Sequence, residues 1–409
     1  MKKKVELLAP AGDLEKLIIA VEYGADAVYF SAESFGLRAS AGNFTIEEIE
    51  KGVSYAHQKN KKCYMALNIF AHNEDIDKLE AYLPMIRHIP IDAFIVSDPG
   101  VIALLQEFWP DCEIHLSTQA NTTNYASASF WHKMGVKRIV LARELSLEEI
   151  KELREKAPAT LELEMFVHGA MCISYSGRCL LSNFMTGRDA NRGACSHPCR
   201  WNYHLMEEQR PGEYMQVEED ERGTYFFNSK DLSLIKELPE ILDIPVSSLK
   251  IEGRMKSIFY IAVTVGAYRK AIDQYYQEPK SYVFDENLLE ELKKVSHRDF
   301  TTGFLYEKPD EKQQNYHFGS YVKNYSFLGM VKEYDANTGL ATVEQRNKIV
   351  AGDCVEIFGP GAPYFEQTID VLLDEENHPI PAAPHAQQIV KIKMNQPVGP
   401  FFMIRKALQ

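Results

Sequence analysis

The sequence lacks any apolar run that approaches the roughly 20 residues of a membrane-spanning helix. It also lacks an apolar leader, because Met1 and three lysines are followed at once by a short strand-like segment. Low-complexity tracts are absent too. These absences argue against an integral membrane protein. They predict a cytoplasmic chain in a reducing compartment, where disulfides seldom persist.

Two hydrolase motifs are also missing. The sequence contains neither the H-E-x-x-H motif of zinc proteases nor the G-x-S-x-G motif of serine hydrolases. A cysteine protease would need one thiol beside His168 or His197. Such a pair would leave three further clustered cysteines unexplained. A peptidase is therefore an alternative that lacks a recognisable catalytic constellation.

An excess of positive charge is lacking as well. The chain has 45 basic and 58 acidic residues, for a net charge of −13. This balance argues against broad nonspecific binding to nucleic acid, but it leaves room for a local basic patch. Between Cys172 and Tyr203 four arginines stand with a single acid, so that segment is locally positive.

Cysteine is scarce, with seven in 409 residues, yet four of them fall in one segment: Cys172, Cys179, Cys195 and Cys199. Thiolates suit iron–sulfur clusters or zinc, and neighbouring arginines offset the charge of a thiolate-ligated centre. Six residues separate the first pair and three the last. The first spacing is looser than that of zinc knuckles, which favours an iron–sulfur cluster over structural zinc or disulfides. Cys63, Cys112 and Cys354 are interpreted as small buried residues.

The first 170 residues alternate between short β-rich runs and amphipathic helical patterns, which predicts an α/β fold with a parallel sheet. Seven such runs, with Ser248–Ile251 as the expected eighth strand, predict a (β/α)8 TIM-like barrel. The seven are Val5–Ala9, Ala27–Phe30, Cys63–Leu67, Ala93–Val96, Glu113–Leu116, Arg138–Leu141 and Leu161–Val167. Asp13, Thr45 and Ser146 are predicted helix N-caps. Helices are predicted at Leu232–Leu242 and Ile258–Tyr275.

The domain prediction has three parts. Residues 1–300 form the barrel, with a cysteine-rich insertion at about 169–230 after the seventh strand. Residues 301–318 form a linker. From Gly319 to Gln409, short β runs alternate with turns, which predicts a small C-terminal antiparallel β-barrel.

Active sites of such barrels lie at the carboxyl ends of the strands, and polar side chains follow several predicted strands there. His168, Glu252 and Arg254 are the candidate catalytic residues. Arg143 and Lys250 are candidates to bind an anionic substrate group. The same role is assigned to four arginines near the cysteines, namely Arg178, Arg188, Arg192 and Arg200, whereas Trp201 is a candidate to stack on a substrate base. Structural alternatives stay open, since Glu252 and Arg254 could pair with each other and His168 or Trp201 could serve packing.

Several motifs carry a resemblance to a known family. They are Leu8-Ala-Pro-Ala-Gly12, Glu164-x-Phe-x-x-Gly-Ala-x-Cys172, Gly177-x-Cys179-x-x-Ser182, Asn228-Ser-Lys-Asp231 and Lys250-Ile-Glu-Gly-Arg254. With them, nearly the whole chain resembles the peptidase U32 (collagenase-like protease) family. The four cysteines match its tRNA-hydroxylation branch, whereas the ubiquinone-pathway members place some cysteines differently.

The resemblance implies a 4Fe-4S cluster on the four cysteines and oxygen-independent hydroxylation. For the tRNA branch it implies prephenate-dependent conversion of the wobble uridine to 5-hydroxyuridine, with tRNA and prephenate as partners and a paralogous subunit left open. The segment from Leu328 to Asp353 resembles the second β-barrel domain of translation elongation factors. Two alternatives stay open, namely a collagenase-like peptidase and a non-catalytic RNA-binding protein with a structural metal.

Overall fold

The computed structural model describes residues 4–32, 44–172, 174–176, 178–188, 190, 195–196, 198, 218–220, 223–225, 230–307 and 322–408. For residues 218–220 and 223–225 it describes the backbone alone. Four residues selected from the sequence lie outside this part of the chain: Arg192, Cys199, Arg200 and Trp201.

The first domain is built on a closed parallel barrel. Its described strands are β1 (Glu6–Pro10), β2 (Ala27–Phe30), β3 (Lys62–Leu67), β4 (Ala93–Val96), β5 (Glu113–Leu116), β6 (Arg138–Val140), β7 (Glu162–Ala170), β8 (Glu218–Asp220), β9 (Gly223–Tyr225), β10 (Asp231–Ser233), β11 (Ser248–Ile251) and β12 (Phe300–Thr301). Strands β1 to β7 pair in sequence order, and β11 closes the ring by pairing in parallel with both β1 and β7. The predicted (β/α)8 barrel is confirmed.

Helices cover the outside of the barrel. They are α1 (Leu14–Glu22), α2 (Ile46–Gln58), α3 (Asn73–Ile86), α4 (Pro99–Phe108), α5 (Tyr125–Lys133), α6 (Leu147–Lys156), α7 (Leu181–Thr186), α8 (Leu238–Asp243), α9 (Ile258–Gln277) and α10 (Glu286–Leu292). The three predicted N-caps are confirmed: Asp13 accepts from the Lys16 N–H, and Thr45 and Ser146 each form a capping box. No helix within the described ranges is both long and apolar enough to cross a lipid bilayer.

One predicted helix is wrong in its first half. Leu232 and Ser233, the first two residues of the predicted helix, belong to strand β10, and α8 begins only at Leu238. The strand forms because β7 runs past the barrel rim and offers a free edge. Asp231 pairs with Ala170 and Ser233 with His168 in an antiparallel ladder. Tertiary pairing therefore overrides the local helical pattern of Leu232–Leu242.

This ladder forms a neck for the cysteine-rich insertion. The chain leaves the barrel at the end of β7 and returns as β10 directly beside it. Within the insertion, β8 and β9 pair antiparallel. The segment that carries the predicted metal ligands is thus anchored at the mouth of the barrel by both of its ends.

The C-terminal domain is a curled antiparallel sheet, in agreement with the predicted small β-barrel architecture. Its strands are β13 (Tyr325–Asp335), β14 (Leu340–Gln345), β15 (Ile349–Val350), β16 (Cys354–Phe358), β17 (Phe365–Thr368), β18 (Leu372–Leu373), β19 (Ala382–Ala383), β20 (Ile389–Lys393) and β21 (Met403–Ala407). Seven of them form one sheet in the order β17-β16-β21-β13-β14-β20-β18. Burial alternates along β14 and β20, so one face of the sheet encloses a core of its own.

The two domains share a packed interface. Arg405 of β21 is fully buried and pairs with Glu356 of β16 at 2.6 Å and with Glu291 of α10 at 2.8 Å. Phe259 of α9 stacks on Phe327 of β13, with ring centroids 5.4 Å apart. Buried charge and aromatic stacking at this junction fix the C-terminal sheet against the side of the barrel.

Candidate functional site

The carboxyl ends of the barrel strands carry most of the candidate residues, and close backbone contacts shape this rim. A Cβ atom on Gly12 would lie 2.2 Å from the carbonyl oxygen of Arg254. A Cβ atom on Gly169, whose φ is +115°, would lie 2.5 Å from the carbonyl oxygen of Glu252. Only glycine allows these approaches, so both glycines of the family-like motifs serve to bring Glu252 and Arg254 onto the rim.

Arg143, three residues beyond β6, reaches the start of the cysteine segment. Its Nη1 donates to the carbonyl oxygen of Ala170 at 2.7 Å, and its Nη2 donates to Cys172 Sγ at 3.3 Å and to Ser176 Oγ at 2.7 Å. Burial lowers the pKa of Arg143, but the neighbouring Cys172 and Glu252 outweigh burial and raise that pKa above its usual value. The predicted anion-binding arginine therefore lies at the mouth with its charge against a predicted metal ligand.

Ser182 links the chain segments that carry the predicted ligands Cys179 and Cys195. It lies fully buried in α7, which begins two residues after Cys179. Its hydroxyl donates to the carbonyl oxygen of Arg188 at 2.7 Å and accepts the N–H of Ser196 at 3.0 Å. Because Ser196 adjoins Cys195, this serine fastens the chain around Cys195 to the helix that follows Cys179.

The donor set suits a thiolate-ligated metal centre. Cys172, Cys179 and Cys195 are free thiols that are exposed or half-buried. Within the part of the chain that the structure describes, no three His, Cys, Asp or Glu side chains gather tightly enough to hold a metal ion by themselves. Accessible thiols beside an arginine are nonetheless the donor chemistry of iron–sulfur sites, so the residues present fit such a group.

The interpretation of the other cysteines needs one correction. Cys63 is buried in β3, as interpreted, and Cys112 is half-buried. Cys354 is exposed, because it is the first residue of β16 and its side chain lies on the solvated side of the sheet.

His168 lies inside an aromatic cage at the end of β7. Its ring is 2% exposed and packs against Tyr260, Tyr268 and Phe300, with centroids 5.5 to 6.0 Å away. Burial, assisted by the charge of Lys256, lowers the pKa of His168 to about 3. The ring is therefore neutral at neutral pH and is a weak base there. Among the described residues, its polar contact is with Tyr268 Oη, 3.4 Å from Nδ1.

Glu252 and Arg254 lie on the same rim, just beyond the end of the neighbouring strand β11. A carboxylate oxygen of Glu252 accepts from Tyr29 Oη at 3.0 Å, and its backbone N–H donates to the His168 carbonyl oxygen at 2.8 Å. Arg254 is 5% exposed, and its guanidinium donates to Ser31 Oγ. The structure thus brings the three predicted catalytic residues to the ends of β7 and β11.

Lys250 lies deeper than the sequence suggested. It is 4% exposed, and its Nζ pairs with Glu164 Oε1 at 3.0 Å inside the barrel. Burial raises the pKa of Glu164, but Lys250 and Arg138 outweigh it and bring that pKa down to about 2. Arg138 Nη1 lies 3.2 Å from the same carboxylate. The predicted placement of Lys250 at the mouth is corrected, because the charge of Lys250 is balanced within the barrel interior.

Two further residues that were predicted to bind substrate, Arg178 and Arg188, lie in the part of the chain that the structure describes. Arg178 is exposed, with its guanidinium carbon 5.3 Å from the ring centre of Phe70. Arg188 is exposed as well. Both lie on the solvent side of the cysteine segment, where they remain accessible.

Several polar atoms at the mouth have no hydrogen-bond partner among the described residues. Gln119, which follows β5 and is 2% exposed, has neither its Oε1 nor its Nε2 paired. The others are Asn68 Oδ1, Asn121 Oδ1, Thr122 Oγ1 and Arg143 Nε. Sequence reasoning assigned no role to Gln119, whose only signal is its position just after a predicted strand. It did not select Ser31 and Ser176, since a serine in a turn carries no distinguishing pattern.

Comparisons with known proteins identify the family that this sequence resembles. The sequence model of peptidase family U32 matches residues 12–315, and that of the U32 C-terminal domain matches residues 323–405. A tRNA hydroxylation protein of Bacillus subtilis is 46% identical and covers 99% of this chain and 95% of its own length. A tRNA hydroxylation protein of Escherichia coli is 39% identical, with 93% and 92% covered.

A more distant relative acts on another RNA. A 23S rRNA 5-hydroxycytidine synthase of Escherichia coli is 35% identical and covers 67% of this chain and 40% of its own length. Since both family models match and relatives above 30% identity extend over nearly the whole chain, this protein belongs to peptidase family U32.

Proposed function

We propose that this protein is a tRNA-modifying enzyme that hydroxylates the wobble uridine to 5-hydroxyuridine. The observation that carries the proposal is the likeness, over nearly the full length of both chains, to proteins named for tRNA hydroxylation. The synthase of 5-hydroxycytidine in rRNA supports the same chemistry, because it too places a hydroxyl group on a pyrimidine.

The proposed cofactor is a 4Fe-4S cluster on Cys172, Cys179, Cys195 and Cys199. When bound, such a cluster supplies one-electron redox chemistry at sulfur-ligated iron. The protein contributes the positions of the thiols. Arg143 holds the backbone and sulfur at Cys172, and Ser182 holds the chain beside Cys195.

The tRNA is proposed to place its anticodon loop over the barrel mouth. A wobble base in a single-stranded loop is easily splayed out, as chemistry on a base requires. The exposed Arg178 and Arg188 are suited to flanking phosphates, which position the RNA without reading its sequence. The unpaired carboxamide of Gln119 has one donor and one acceptor side, the pattern that a uracil edge needs. The C-terminal domain is proposed to hold the tRNA farther from the reacting base.

Prephenate is proposed as the co-substrate. Replacing the hydrogen on C5 of uracil by a hydroxyl group removes two electrons from the base and adds an oxygen atom. The proposed oxygen-independent reaction therefore needs both an electron acceptor and an oxygen donor other than molecular oxygen. Arg254, which follows β11 at the rim, is the proposed partner of a prephenate carboxylate, because a guanidinium matches carboxylate geometry. Lys250 is not proposed for this role, since it pairs with Glu164 inside the barrel.

The cofactor proposal predicts the colour and iron content of the protein. Purified without oxygen, the full chain should be brown and contain about four iron atoms and four sulfides per chain. Alanine at Cys172, Cys179 or Cys195 should abolish the absorption and most of the iron. The matched controls Cys63→Ala and Cys354→Ala should keep both. Stoichiometric zinc in place of iron would contradict the proposal.

The substrate proposal predicts a change in cellular tRNA. In a strain that lacks the gene, mass analysis of tRNA nucleosides should show loss of 5-hydroxyuridine. The wild-type gene should restore it and a Cys172→Ala gene should not. Unchanged 5-hydroxyuridine in the deletion strain, together with cleavage of gelatin by the purified protein, would favour a peptidase instead.

A further inference from the structure

One guanidinium joins the barrel to both sides of the first cysteine of the insertion. Nη1 of Arg143 donates to the carbonyl oxygen of Ala170, the last residue of β7, at 2.7 Å. Nη2 donates to Cys172 Sγ at 3.3 Å and to Ser176 Oγ at 2.7 Å. The three acceptors come from one short stretch of chain, so Arg143 fixes the turn that presents the Cys172 sulfur.

The arginine is itself held in place. Its guanidinium carbon lies 5.2 Å from the ring centre of Phe166, a buried residue of β7. Ser176 is only 8% exposed, so the hydrogen bond to its hydroxyl is shielded from water. Cys172, in contrast, is exposed. A half-buried, planar cation thus supports a sulfur whose other side faces solvent.

From this geometry we infer that Arg143 is a positioning residue for Cys172 and raises the reduction potential of the cluster that this cysteine helps to bind. The inference rests on the proposed iron–sulfur function. Thiolate-ligated clusters carry negative charge, and each added electron increases it. A cation that donates a hydrogen bond to a ligand sulfur stabilises the reduced form more than the oxidised form. Because Arg143 holds the Cys172 sulfur in place, that sulfur also dissociates more slowly from iron.

The test uses the full chain, purified and handled without oxygen, in four variants. Arg143→Lys keeps the charge but has one nitrogen, which cannot reach Ala170, Cys172 and Ser176 together. Ser176→Ala removes one contact and no charge. Arg87→Ala is the matched control, because Arg87 is an exposed arginine that ends α3 ahead of β4, at the end of the barrel away from the cysteines. Cys172→Ala gives the signal expected when the ligand is lost entirely.

Three quantities are measured for each protein: iron per chain, the midpoint potential from a redox titration followed by electron paramagnetic resonance, and the rate at which absorption decays in air. For Arg143→Lys we expect a more negative potential than for the wild type and a decay in air at least several times faster. Ser176→Ala should shift both in the same direction by less, and Arg87→Ala should match the wild type.

The possible results distinguish an absent iron–sulfur cluster from a cluster that Arg143 does not influence. A wild-type protein that binds no iron after reconstitution overturns the proposed function and this inference with it. A wild-type cluster whose potential and lifetime are unchanged in Arg143→Lys overturns the inference alone. Thermal unfolding of the metal-free proteins reports whether Arg143→Lys is folded. If it is not, Ser176→Ala decides, and a wild-type potential and lifetime in that variant overturn the inference.

Discussion

The buried charges inside the barrel and several polar groups at its mouth differ in how fully they are paired. Inside, the buried charges are matched: Glu164 contacts Lys250 at 3.0 Å and Arg138 at 3.2 Å, and Arg138 also pairs with Glu6 and Glu162. At the mouth, the buried carboxamide of Gln119 and atoms of Asn68, Asn121, Thr122 and Arg143 have no partner among the described residues.

The contrast separates the charges that support the fold from polar groups at the mouth that a ligand or water could pair with. A buried charge is tolerated only when its partner is present, so the interior network is part of the folded structure. A buried polar group without a protein partner destabilises the fold by about 1–3 kcal/mol unless water or a ligand satisfies it. Atoms of five residues at the end of the barrel where the cysteine segment is anchored belong to this class, as do buried atoms elsewhere, such as both ring nitrogens of His115 inside the barrel.

Breaking the interior network should have the largest effect on stability. Glu164→Gln leaves Lys250 and Arg138 without their shared negative charge in a fully buried position. We expect the free energy of unfolding to fall by about 3–5 kcal/mol. Chemical denaturation of the metal-free protein, followed by circular dichroism, measures this loss.

A double variant tests whether the unmatched charge causes this loss of stability. Glu164→Met with Lys250→Met removes a charge of each sign and leaves Arg138 with Glu6 and Glu162. It should recover most of the stability that Glu164→Gln loses, because the unmatched charge causes the loss. Equal stability of Glu164→Gln and the wild type would show that the network does not support the fold.

An intermediate effect is expected at His168, which lies between the two regions. Its pKa is about 3 in the folded protein and 6.5 as an ordinary value. Between these limits the unfolded chain binds the proton more readily, so the His168 contribution to stability is full above pH 6.5 and is lost progressively as the pH falls towards 3. The wild type should therefore lose stability in this window more steeply than His168→Phe.

The measurement is urea denaturation at intervals between pH 7 and pH 4. His88→Phe serves as the control, because His88 is exposed and its replacement should leave the pH dependence of the wild type unchanged. Identical pH profiles for His168→Phe and the wild type would mean that His168 is not held neutral by its surroundings.

The smallest effect on stability is expected at the mouth. Gln119→Met replaces a buried amide that has no partner among the described residues with an apolar side chain of similar size. Stability should change by less than about 1 kcal/mol, or rise slightly. Hydroxylation of tRNA should nevertheless fall at least tenfold if the amide contacts the base.

Gln58→Met, at an exposed position on α2, is the matched control and should leave both quantities unchanged. A Gln119→Met protein with wild-type hydroxylation and lower stability would place Gln119 with the interior groups and remove the contrast at that residue.

The sequence was sufficient to predict the barrel. Four strands have the predicted bounds, namely Ala27–Phe30, Ala93–Val96, Glu113–Leu116 and Ser248–Ile251. Buried parallel strands are short apolar runs bounded by turns, and the helices between them start at recognisable caps. The position of the cysteines at the mouth followed from the position of β7 in the barrel.

What the sequence could not predict depends on contacts between distant segments. β10 is a strand only because β7 extends beyond the rim. Lys250 belongs to the interior only because Glu164 and Arg138 meet it there, 86 residues away in the case of Glu164. The contact between Arg143 and Cys172 joins two different strand ends. No local pattern reports the direction in which a long charged side chain will extend.

The paired neck of the insertion has an evolutionary consequence. Because Ala170 and Asp231 adjoin in one ladder, the segment between them begins and ends at nearly the same point in space. Closing a long loop costs only slightly more than closing a shorter one. Such a segment can be lengthened, shortened or exchanged while the barrel register stays constant. The neck therefore makes the cysteine-rich insertion an exchangeable module, and an ancestral barrel could acquire new chemistry by replacing that module alone.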